Sequence, residues 1–270
     1  MQAAANSEWP VVSAPTAWRC VDFISDLHLH AGTPATVAAW QQYLQHTRAQ
    51  AVFILGDLFE AWVGDDVLGA VACSAADGSS FEDRCAHTLL QATQRLDVFF
   101  MCGNRDFLAG QTFARACNMR WLSDPALLDF AGQRWLLSHG DALCLADTDY
   151  QKFRALVRGP AWQQEFLAQP LAQRKALARS LRERSEAHKR TQLVLVDVDG
   201  PAAVAWLAAA QSKRLIHGHT HRPADHDLGS GMQRSVLSDW DLDAEPARAQ
   251  VLRISADAPA RVQRLALDAV

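Results

Sequence analysis

The sequence lacks the features of a membrane-spanning or exported chain. No apolar run in its 270 residues reaches the roughly 18 residues needed to cross a bilayer. Residues 1–18 carry neither the basic start nor the apolar stretch of a secretory signal peptide, and we expect them to form a flexible lead-in. Internal repeats and low-complexity tracts are also missing, so nothing indicates a repeat architecture.

The six cysteines show no CxxC pairing, and they lie mostly in apolar surroundings. In a chain without an export signal, reduced thiols with a structural role are the favoured interpretation. A zinc–thiolate site is the less favoured alternative. The cysteines are Cys20, Cys73, Cys85, Cys102, Cys117 and Cys144.

What the chain does contain is a sizeable apolar fraction and an uneven charge. Hydrophobic residues make up 49% of the sequence, enough for one large domain or for a core with an inserted subdomain. Residues 150–192 hold ten Lys and Arg against three Glu, a local charge of +7, whereas the remainder carries −11. Such a basic segment indicates either a solvated helix face or an anionic partner: a phosphorylated substrate, an acidic membrane surface or nucleic acid.

Hydrophobic periodicity predicts an α/β fold. Strands and helices alternate over the first 117 residues, which is typical of layered folds with a largely buried sheet. Residues 126–130 and 134–138 form a predicted hairpin, and 149–191 form two or three helices broken at Gly159-Pro160 and Pro170. The last segments, 233–237, 250–254 and 262–267, alternate polar and apolar residues and predict a half-exposed antiparallel sheet.

Five of the predicted strands end in side chains that bind metals. In each, an Asp, Asn or His follows an apolar run either directly or after one intervening residue. Delivered to the C-terminal ends of neighbouring strands, such side chains are expected to face one cavity. The turns are Ser25–His30, Gly56–Asp57, Gly103–Asp106, His139–Asp141 and His217–His221.

The chemistry of these side chains predicts a centre for two metal ions. Carboxylate, amide oxygen and imidazole together suit borderline-hard divalent ions such as Mn²⁺, with Fe²⁺, Zn²⁺ and Co²⁺ as competitors. Two such ions clamp the attacking and leaving oxygens of a displacement at phosphorus. Each residue alone is more typical of an ordinary core, surface or turn position than of a metal ligand, so the interpretation depends on the joint pattern. The predicted ligands are Asp26, His28, Asp57, Asn104, His139, His217 and His219.

As a set, these turns resemble the calcineurin-like metallophosphoesterase superfamily. The resemblance implies a four-layered α-β-β-α sandwich with its metals at the strand ends. Many members carry His after the Gly-Asn pair, where it acts on the leaving group, but here Arg105 follows Asn104. A guanidinium neutralises phosphate charge but does not serve as a general acid, so the leaving group should need no proton. A pyrophosphate is therefore the expected substrate class, because breaking it releases a phosphate monoester.

Three stretches narrow the resemblance to the family of UDP-2,3-diacylglucosamine hydrolases. They are Gly56–Asp66, Gly103–Leu108 and His217–Pro223. The resemblance implies an enzyme of lipid A biosynthesis that uses two Mn²⁺ ions. It hydrolyses UDP-2,3-diacylglucosamine by attack of a metal-bound hydroxide at the α-phosphorus, which gives UMP and 2,3-diacylglucosamine 1-phosphate.

The resemblance also implies roles for individual residues. One metal would be held by Asp26, His28, Asp57 and His219, the other by Asp57, Asn104, His139 and His217. Asn104 and Arg105 are the catalytic residues and would contact the diphosphate, with His217 close enough to touch substrate. Further substrate contacts are implied for Asp147 and Ser185, and Lys189 is carried forward as a basic substitute where the family's later contacts do not align.

The family places a helical cap over the acyl chains, and here residues 149–191, called the cap below, occupy that position between core segments 19–148 and 192–270. Its apolar residues would line an acyl groove or form an ordinary helix-pair core; they are Trp162, Phe166, Leu167, Leu171, Leu177 and Leu181. We expect a monomer on the cytoplasmic face of the inner membrane, bound peripherally and without a nucleic-acid partner. The alternatives are a phosphoesterase for another nucleotide diphosphate or a cyclic nucleotide and, less favoured because no ligand position is lost, a non-catalytic scaffold.

Overall fold

Twelve strands and seven α-helices make up the described part of the chain. A computed structural model describes residues 9–69, 79–191, 196–257 and 259–270, and of 182–191 it describes the backbone alone. The strands are β1 (Val11–Ser13), β2 (Cys20–Ile24), β3 (Ala51–Leu55), β4 (Asp97–Met101), β5 (Arg120–Leu122), β6 (Ala126–Phe130), β7 (Gln133–Ser138), β8 (Arg214–His217), β9 (Ala224–Gly229), β10 (Met232–Val236), β11 (Val251–Ser255) and β12 (Arg261–Leu265). The helices are α1 (Pro34–His46), α2 (Phe81–Ala92), α3 (Gln111–Ala116), α4 (Thr148–Val157), α5 (Pro160–Leu167), α6 (Leu171–Thr191) and α7 (Gly200–Ala209).

The strands form two six-stranded sheets. The first has the order β12-β11-β2-β3-β4-β5 and is parallel from β2 to β5. The second has the order β1-β6-β7-β8-β10-β9, with β7, β8 and β10 parallel to one another. Three strand ends of the first sheet and two of the second therefore carry the polar turns.

Side-chain alternation along β3 shows how the layers pack. Val52 and Ile54 belong to the core between the first sheet and α1–α3. Phe53 and Leu55, on the opposite face, belong to the core between the two sheets. A third core joins the second sheet to α7, where Leu207 and its neighbours are fully buried. The order helices, sheet, sheet, helix confirms the predicted four-layered sandwich.

Local signals set several helix starts. Ser80 and Asp83 form a reciprocal capping box at the start of α2. The Asp199 side chain accepts a hydrogen bond from the Ala202 amide and begins α7, with Pro201 in its first turn. Breaks before Pro160 and Pro170 divide the cap into α4, α5 and α6, as predicted. None of the helices in the described ranges has both the length and the apolar character to cross a bilayer.

Two sequence predictions are corrected. Residues 11–13 are not a flexible lead-in: β1 pairs in parallel with β6, and Trp18 is buried between the sheets; residues 1–8 lie outside the described ranges. The last three predicted strands do not share one antiparallel sheet, because β10 joins β8 and β9 in the second sheet while β11 and β12 extend the first. Of the three only β12 is an edge strand, and β11, which lies between β12 and β2, is almost fully buried.

Three strands were not predicted. β1 and β5 have three residues each, too few to show a periodicity; β1 is fixed by parallel pairing with the distant β6, and β5 by parallel pairing with the preceding strand β4. The edge strand β9 reads Ala-Asp-His-Asp-Leu-Gly and lacks the apolar alternation of a half-buried strand.

Candidate dinuclear metal centre

The polar turns of both sheets meet at one edge of the sandwich. Backbone hydrogen bonds join the turns of the first sheet: the Asp26 amide donates to the Gly56 carbonyl at 3.1 Å, and the His28 amide donates to the Asp57 carbonyl at 3.0 Å. Between the sheets, the His219 amide donates to the Asp26 carboxylate at 2.9 and 3.1 Å. The two sheets are thus locked together where their ligand-type side chains lie.

Two groups of potential ligand atoms lie close together in this cluster. One consists of Asp26, Asp57 and His139, all buried, with one oxygen or nitrogen each within 4.8 Å of the others. The other consists of Asp26, His28 and His221 under the same limit. Because Asp26 belongs to both groups, and Asp57 Oδ2 lies 3.8 Å from His28 Nε2, the groups form one continuous cluster.

Asn104 connects the centre to the second sheet. Its Oδ1 atom lies 3.1 Å from His139 Nε2 and 2.8 Å from His219 Nδ1. His139 is oriented by its other nitrogen, Nδ1, which lies 2.9 Å from the Leu55 carbonyl. Six of the seven predicted ligands, all except His217, are therefore joined in one connected cluster.

His217 is placed differently. It is fully buried at the end of β8, and its Nδ1 atom lies 2.9 Å from the Gly218 carbonyl. Its Nε2 atom lies 3.4 Å from an Arg234 guanidinium nitrogen, and Arg234 forms a bidentate pair with Asp197 at 2.8 and 2.9 Å. Since both ring nitrogens have partners outside the cluster, a ligand role for His217 requires its ring to turn.

Sequence reasoning gave no ligand position to His221, although it placed the residue near the site. Its Nε2 atom lies 3.3 Å from His28 Nε2 and 3.4 Å from Asp26 Oδ1. His221 follows His219 by two residues, the same spacing that separates Asp26 from His28. That repeated spacing was the signal that could have identified it.

Glu60 was missed altogether. Its carboxylate lies 3.1 Å from His28 Nδ1 and 3.6 Å from an Arg105 nitrogen. A metal-ligating His usually donates its second ring N–H to such a group, which fixes the tautomer. Glu60 follows Asp57 by three residues, but in the sequence nothing distinguishes it from an ordinary surface acid.

Backbone conformation is unusual throughout the cluster. Among the described residues nine non-glycine positions have positive φ, and five of them belong to the site. Left-handed backbone is costly for side-chain-bearing residues and concentrates at functional sites. The five are Asp26, His28, Asp57, His219 and His221.

Two glycines of the motifs are required by close approach. Gly56, at φ 91°, lies so near the neighbouring strand that a Cβ atom would come within 2.6 Å of the Gly103 backbone. A Cβ on Gly103 would in turn meet the backbone amide of Asp57 at 2.5 Å. The glycine of each Gly-Asp or Gly-Asn pair therefore makes room for the ligand turn of the adjacent strand.

The charges of the cluster shift its pKa values in opposite directions. Burial alone would raise the pKa of Asp26, but a hydrogen bond from His221 and the nearby imidazoles hold it well below the usual value. Burial opposes protonation of His139, yet the Asp57 and Asp26 carboxylates raise its pKa to about 9. Burial and the neighbouring His139 lower the pKa of His219 to about 4. The Asp26 carboxylate thus stays ionised inside the protein, as a cation ligand must be.

The donor set fits divalent metal ions. Carboxylates, an amide oxygen and imidazoles converge at this edge, and oxygen–nitrogen sets of this kind bind borderline-hard cations. The chemistry and the geometry together indicate a dinuclear site.

Of the predicted substrate contacts in and beside the cap, only Asp147 has a described side chain. Asp147 is the N-cap of α4, where its side chain accepts a hydrogen bond from the Tyr150 amide at 3.1 Å. Tyr150 stacks on His219 with ring centroids 5.9 Å apart, so the start of α4 borders the metal site. Ser185 and Lys189 fall in α6, at positions where the side chains lie outside the described residues.

An apolar cavity of about 280 Å³ adjoins the centre. Asn104 and Arg105 form its polar end, and Trp62 and Phe107 from the core face Phe153, Trp162, Phe166 and Leu181 from the cap. Of the proposed groove residues, Trp162, Phe166 and Leu181 therefore line a cavity, Leu171 packs against the core, and Leu167 and Leu177 are exposed.

The fold and the site together define a metal-dependent phosphoesterase. Residues 21–223 match the family model of the calcineurin-like phosphoesterases. The protein named UDP-2,3-diacylglucosamine hydrolase from Chromobacterium violaceum is 47% identical over 82% of this chain and 90% of its own. Proteins of the same name from Chromohalobacter salexigens and Xanthomonas axonopodis pv. citri are 40% and 42% identical, each over 91% of this chain and 97% and 98% of their own. The chain belongs to the UDP-2,3-diacylglucosamine hydrolase family of calcineurin-like phosphoesterases.

Among solved structures, an archaeal phosphodiesterase aligns with 91% of this chain and 99% of its own. The identity is 9% and the TM-score 0.46, values too low to bear on function.

Proposed function

We propose that the protein hydrolyses the pyrophosphate bond of UDP-2,3-diacylglucosamine at the α-phosphorus, giving UMP and 2,3-diacylglucosamine 1-phosphate for lipid A biosynthesis. The observation that carries this proposal is the cavity, which joins an apolar chamber to the Arg105 end of the metal cluster. A substrate with a diphosphate beside long acyl chains matches both ends at once. Each buried methylene contributes about 0.8 kcal/mol, so a chamber of this size favours lipid over soluble nucleotides.

Arg105 is suited to the diphosphate and not to proton transfer. Its guanidinium is 14% exposed and is held by Glu60 at 3.6 Å, so it is directed before substrate arrives. An arginine side chain neutralises phosphate oxygens without donating a proton. The departing 2,3-diacylglucosamine 1-phosphate needs no protonation, which makes an arginine sufficient at this position.

The metal ligands are proposed as Asp26, His28, Asp57, Asn104, His139 and His219, with His217 joining if its ring turns and His221 beside them. We propose Mn²⁺ as the ion because the set mixes oxygen and nitrogen donors without thiolates. Two such ions, when bound, supply an activated water and neutralise charge on the phosphoryl oxygens.

The cap is proposed to hold the acyl chains and to contact the inner membrane from the cytoplasmic side. Phe153 and Leu156 on α4 are 39% and 59% exposed and form an apolar surface near the cavity. The basic charge contributes less than its count indicates, because Arg154, Arg158 and Arg174 turn inward onto Asp141, the Gly103 carbonyl and Asp66. Membrane contact therefore depends on the apolar surface together with exposed lysines such as Lys152.

Two assays test the proposal. The protein with Mn²⁺ is given UDP-2,3-diacylglucosamine or UDP-N-acetylglucosamine, and UMP release is followed. We expect turnover of the diacylated compound alone, and turnover of the soluble nucleotide alone would instead support the alternative phosphoesterase. In the second assay, sedimentation with anionic liposomes is compared for wild type and Leu156→Asp; equal recovery in the supernatant would contradict the membrane contact.

A further inference from the structure

Arg174 is a buried arginine of the cap that makes no contact with the metal cluster. It lies in the first turns of α6 with 2% of its surface exposed. Its Nε donates to the Gln169 carbonyl at 2.9 Å, and Nη1 donates to the Val63 carbonyl. The two terminal nitrogens also form a fork on the Asp66 carboxylate, with Nη1 at 2.9 Å from Oδ1 and Nη2 on Oδ2. Bidentate pairs of this kind are directional as well as strong.

The loop that follows β3 is shaped to receive this guanidinium. Gly64 has φ 126°, and a Cβ atom there would lie 2.5 Å from Arg174 Nη1 and 2.7 Å from a Leu167 methyl carbon. Glycine is therefore needed both for the backbone conformation and for the space. The paired charge of Arg174 also lowers the pKa of Asp66, chiefly through their hydrogen bond.

Two consecutive acidic residues, Asp65 and Asp66, connect this loop to two different parts of the protein. Asp66 binds Arg174 of the cap, whereas Asp65 binds the core. Asp65 accepts hydrogen bonds from the Trp62 indole at 3.1 Å and from the Gly110 and Phe113 amides at 2.9 Å, at the start of α3. Arg174 therefore ties α6 to a loop that is itself fixed to the core.

The helix α6 and the loop that Arg174 joins both contribute residues to the wall of the apolar cavity. Ala178 and Leu181 follow Arg174 by four and seven residues, so they lie on the same side of α6, and both line the cavity. Trp62 and Val63 line it from the loop. The Trp62 amide also donates to the Arg105 carbonyl at 3.1 Å, which connects the loop to the polar end.

We propose that Arg174 is a positioning residue that fixes the separation of the two walls of the acyl cavity. Its bonds to Val63 and Asp66 hold Ala178 and Leu181 of α6 opposite Trp62, and the affinity for acyl chains depends on that fixed width. Arg174 does not line the cavity and does not reach the phosphate end. This inference rests on the proposed function, because it assigns the cavity to acyl chains.

The test separates lipid binding from chemistry. Arg174→Met, Arg174→Lys and Asp66→Asn are compared with wild type on UDP-2,3-diacylglucosamine and on bis(p-nitrophenyl) phosphate, which has no acyl chain. We expect Arg174→Met to raise KM for the diacylated substrate about tenfold, equivalent to about 1.4 kcal/mol, with kcat on the acyl-free compound unchanged. Asp66→Asn gives a smaller rise in KM, and Arg174→Lys recovers part of the lost affinity because it keeps the charge but not the planar fork of donors. Arg261→Met, the same change at an exposed arginine of β12, is the control.

Two results would overturn the inference while leaving the proposed function standing: an unchanged KM for the diacylated substrate in the Arg174 and Asp66 variants, or equal losses on both substrates. If Arg174→Met fails to fold, Asp66→Asn decides the matter, since the Asp66 side chain is 59% exposed and the change is isosteric. A wild-type protein that cleaves the acyl-free compound but not the diacylated one would overturn the proposed function itself.

Discussion

Replacing Arg105 by alanine should separate phosphate recognition from metal binding. The contact of Arg105 with the metal cluster is made by its backbone: the amide donates to Asp57 Oδ1 at 2.8 Å, and the carbonyl accepts from the Trp62 amide. Both bonds survive removal of the side chain. Glu60 loses a partner at 3.6 Å but keeps His28 at 3.1 Å. We therefore expect Arg105→Ala to bind two metal ions as the wild type does.

The expected loss in activity follows from the missing charge. A hydrogen bond to a charged group is worth roughly 1.5–3 kcal/mol, so kcat/KM for UDP-2,3-diacylglucosamine should fall roughly 10- to 150-fold. Since a guanidinium does not titrate near neutrality, the ratio between wild type and variant should stay constant from about pH 6 to 9. The assay is steady-state UMP release, paired with metal analysis of the dialysed protein by plasma mass spectrometry.

Arg105→Lys is the matched variant, and we expect it to recover part of the activity because it restores the charge but not the fork. Loss of metal from Arg105→Ala would refute the assignment of this side chain to the phosphate. So would a ratio that changes steeply with pH, since that would indicate a proton transfer which arginine cannot perform.

Three further predictions concern metal binding, the packing of the strand turns and the buried thiols. Glu60→Gln should weaken Mn²⁺ binding about 10- to 100-fold in calorimetric titration of the metal-free protein, because His28 loses an ionised partner, whereas Glu165→Gln on the exposed side of α5 should not. Gly103→Ala should yield a folded protein without metal or activity, because its Cβ atom would displace the Asp57 turn; Gly200→Ala, which adds a methyl group in open space, should behave as wild type. Native protein at pH 8 should leave its buried thiols unalkylated, as mapped by peptide mass spectrometry, because burial raises the pKa of two of them to about 12. The buried thiols are Cys85, Cys102, Cys117 and Cys144, and the two with that value are Cys85 and Cys144.

Each of these three predictions has a result that would contradict it. Unchanged metal affinity in Glu60→Gln would mean that His28 is oriented without its carboxylate neighbour. An active Gly103→Ala would contradict the close approach of the two strand turns. Rapid alkylation of the buried thiols in the folded protein would show that these cysteines are accessible.

The ligand residues at the strand ends are the part of the site that the sequence predicts best. Asp26, Asp57, Asn104 and His139 could be predicted because each comes one to three residues after a mostly apolar strand, so the local pattern indicates both the strand and the turn. Their convergence follows from parallel pairing in each sheet and from the two sheets meeting at that edge. The five cysteines in the described ranges form no disulfide with one another.

Long-range contacts explain what the sequence could not provide. Glu60 and Arg174 look like surface charges in the chain, and their roles depend on partners 32 to 111 residues away, His28 and Val63 among them. The orientation of the His217 ring depends on the Arg234–Asp197 pair, which joins β10 to the segment before α7. The position of β1 depends on pairing with β6, more than a hundred residues later.

The most direct measurement of the central claim is product analysis in ¹⁸O-labelled water. The protein is loaded with Mn²⁺ and incubated with UDP-2,3-diacylglucosamine, and both products are analysed by mass spectrometry. Attack at the α-phosphorus predicts one ¹⁸O atom in UMP and none in 2,3-diacylglucosamine 1-phosphate. Label in the lipid phosphate, or no UMP at all from the metal-loaded protein, would contradict the account.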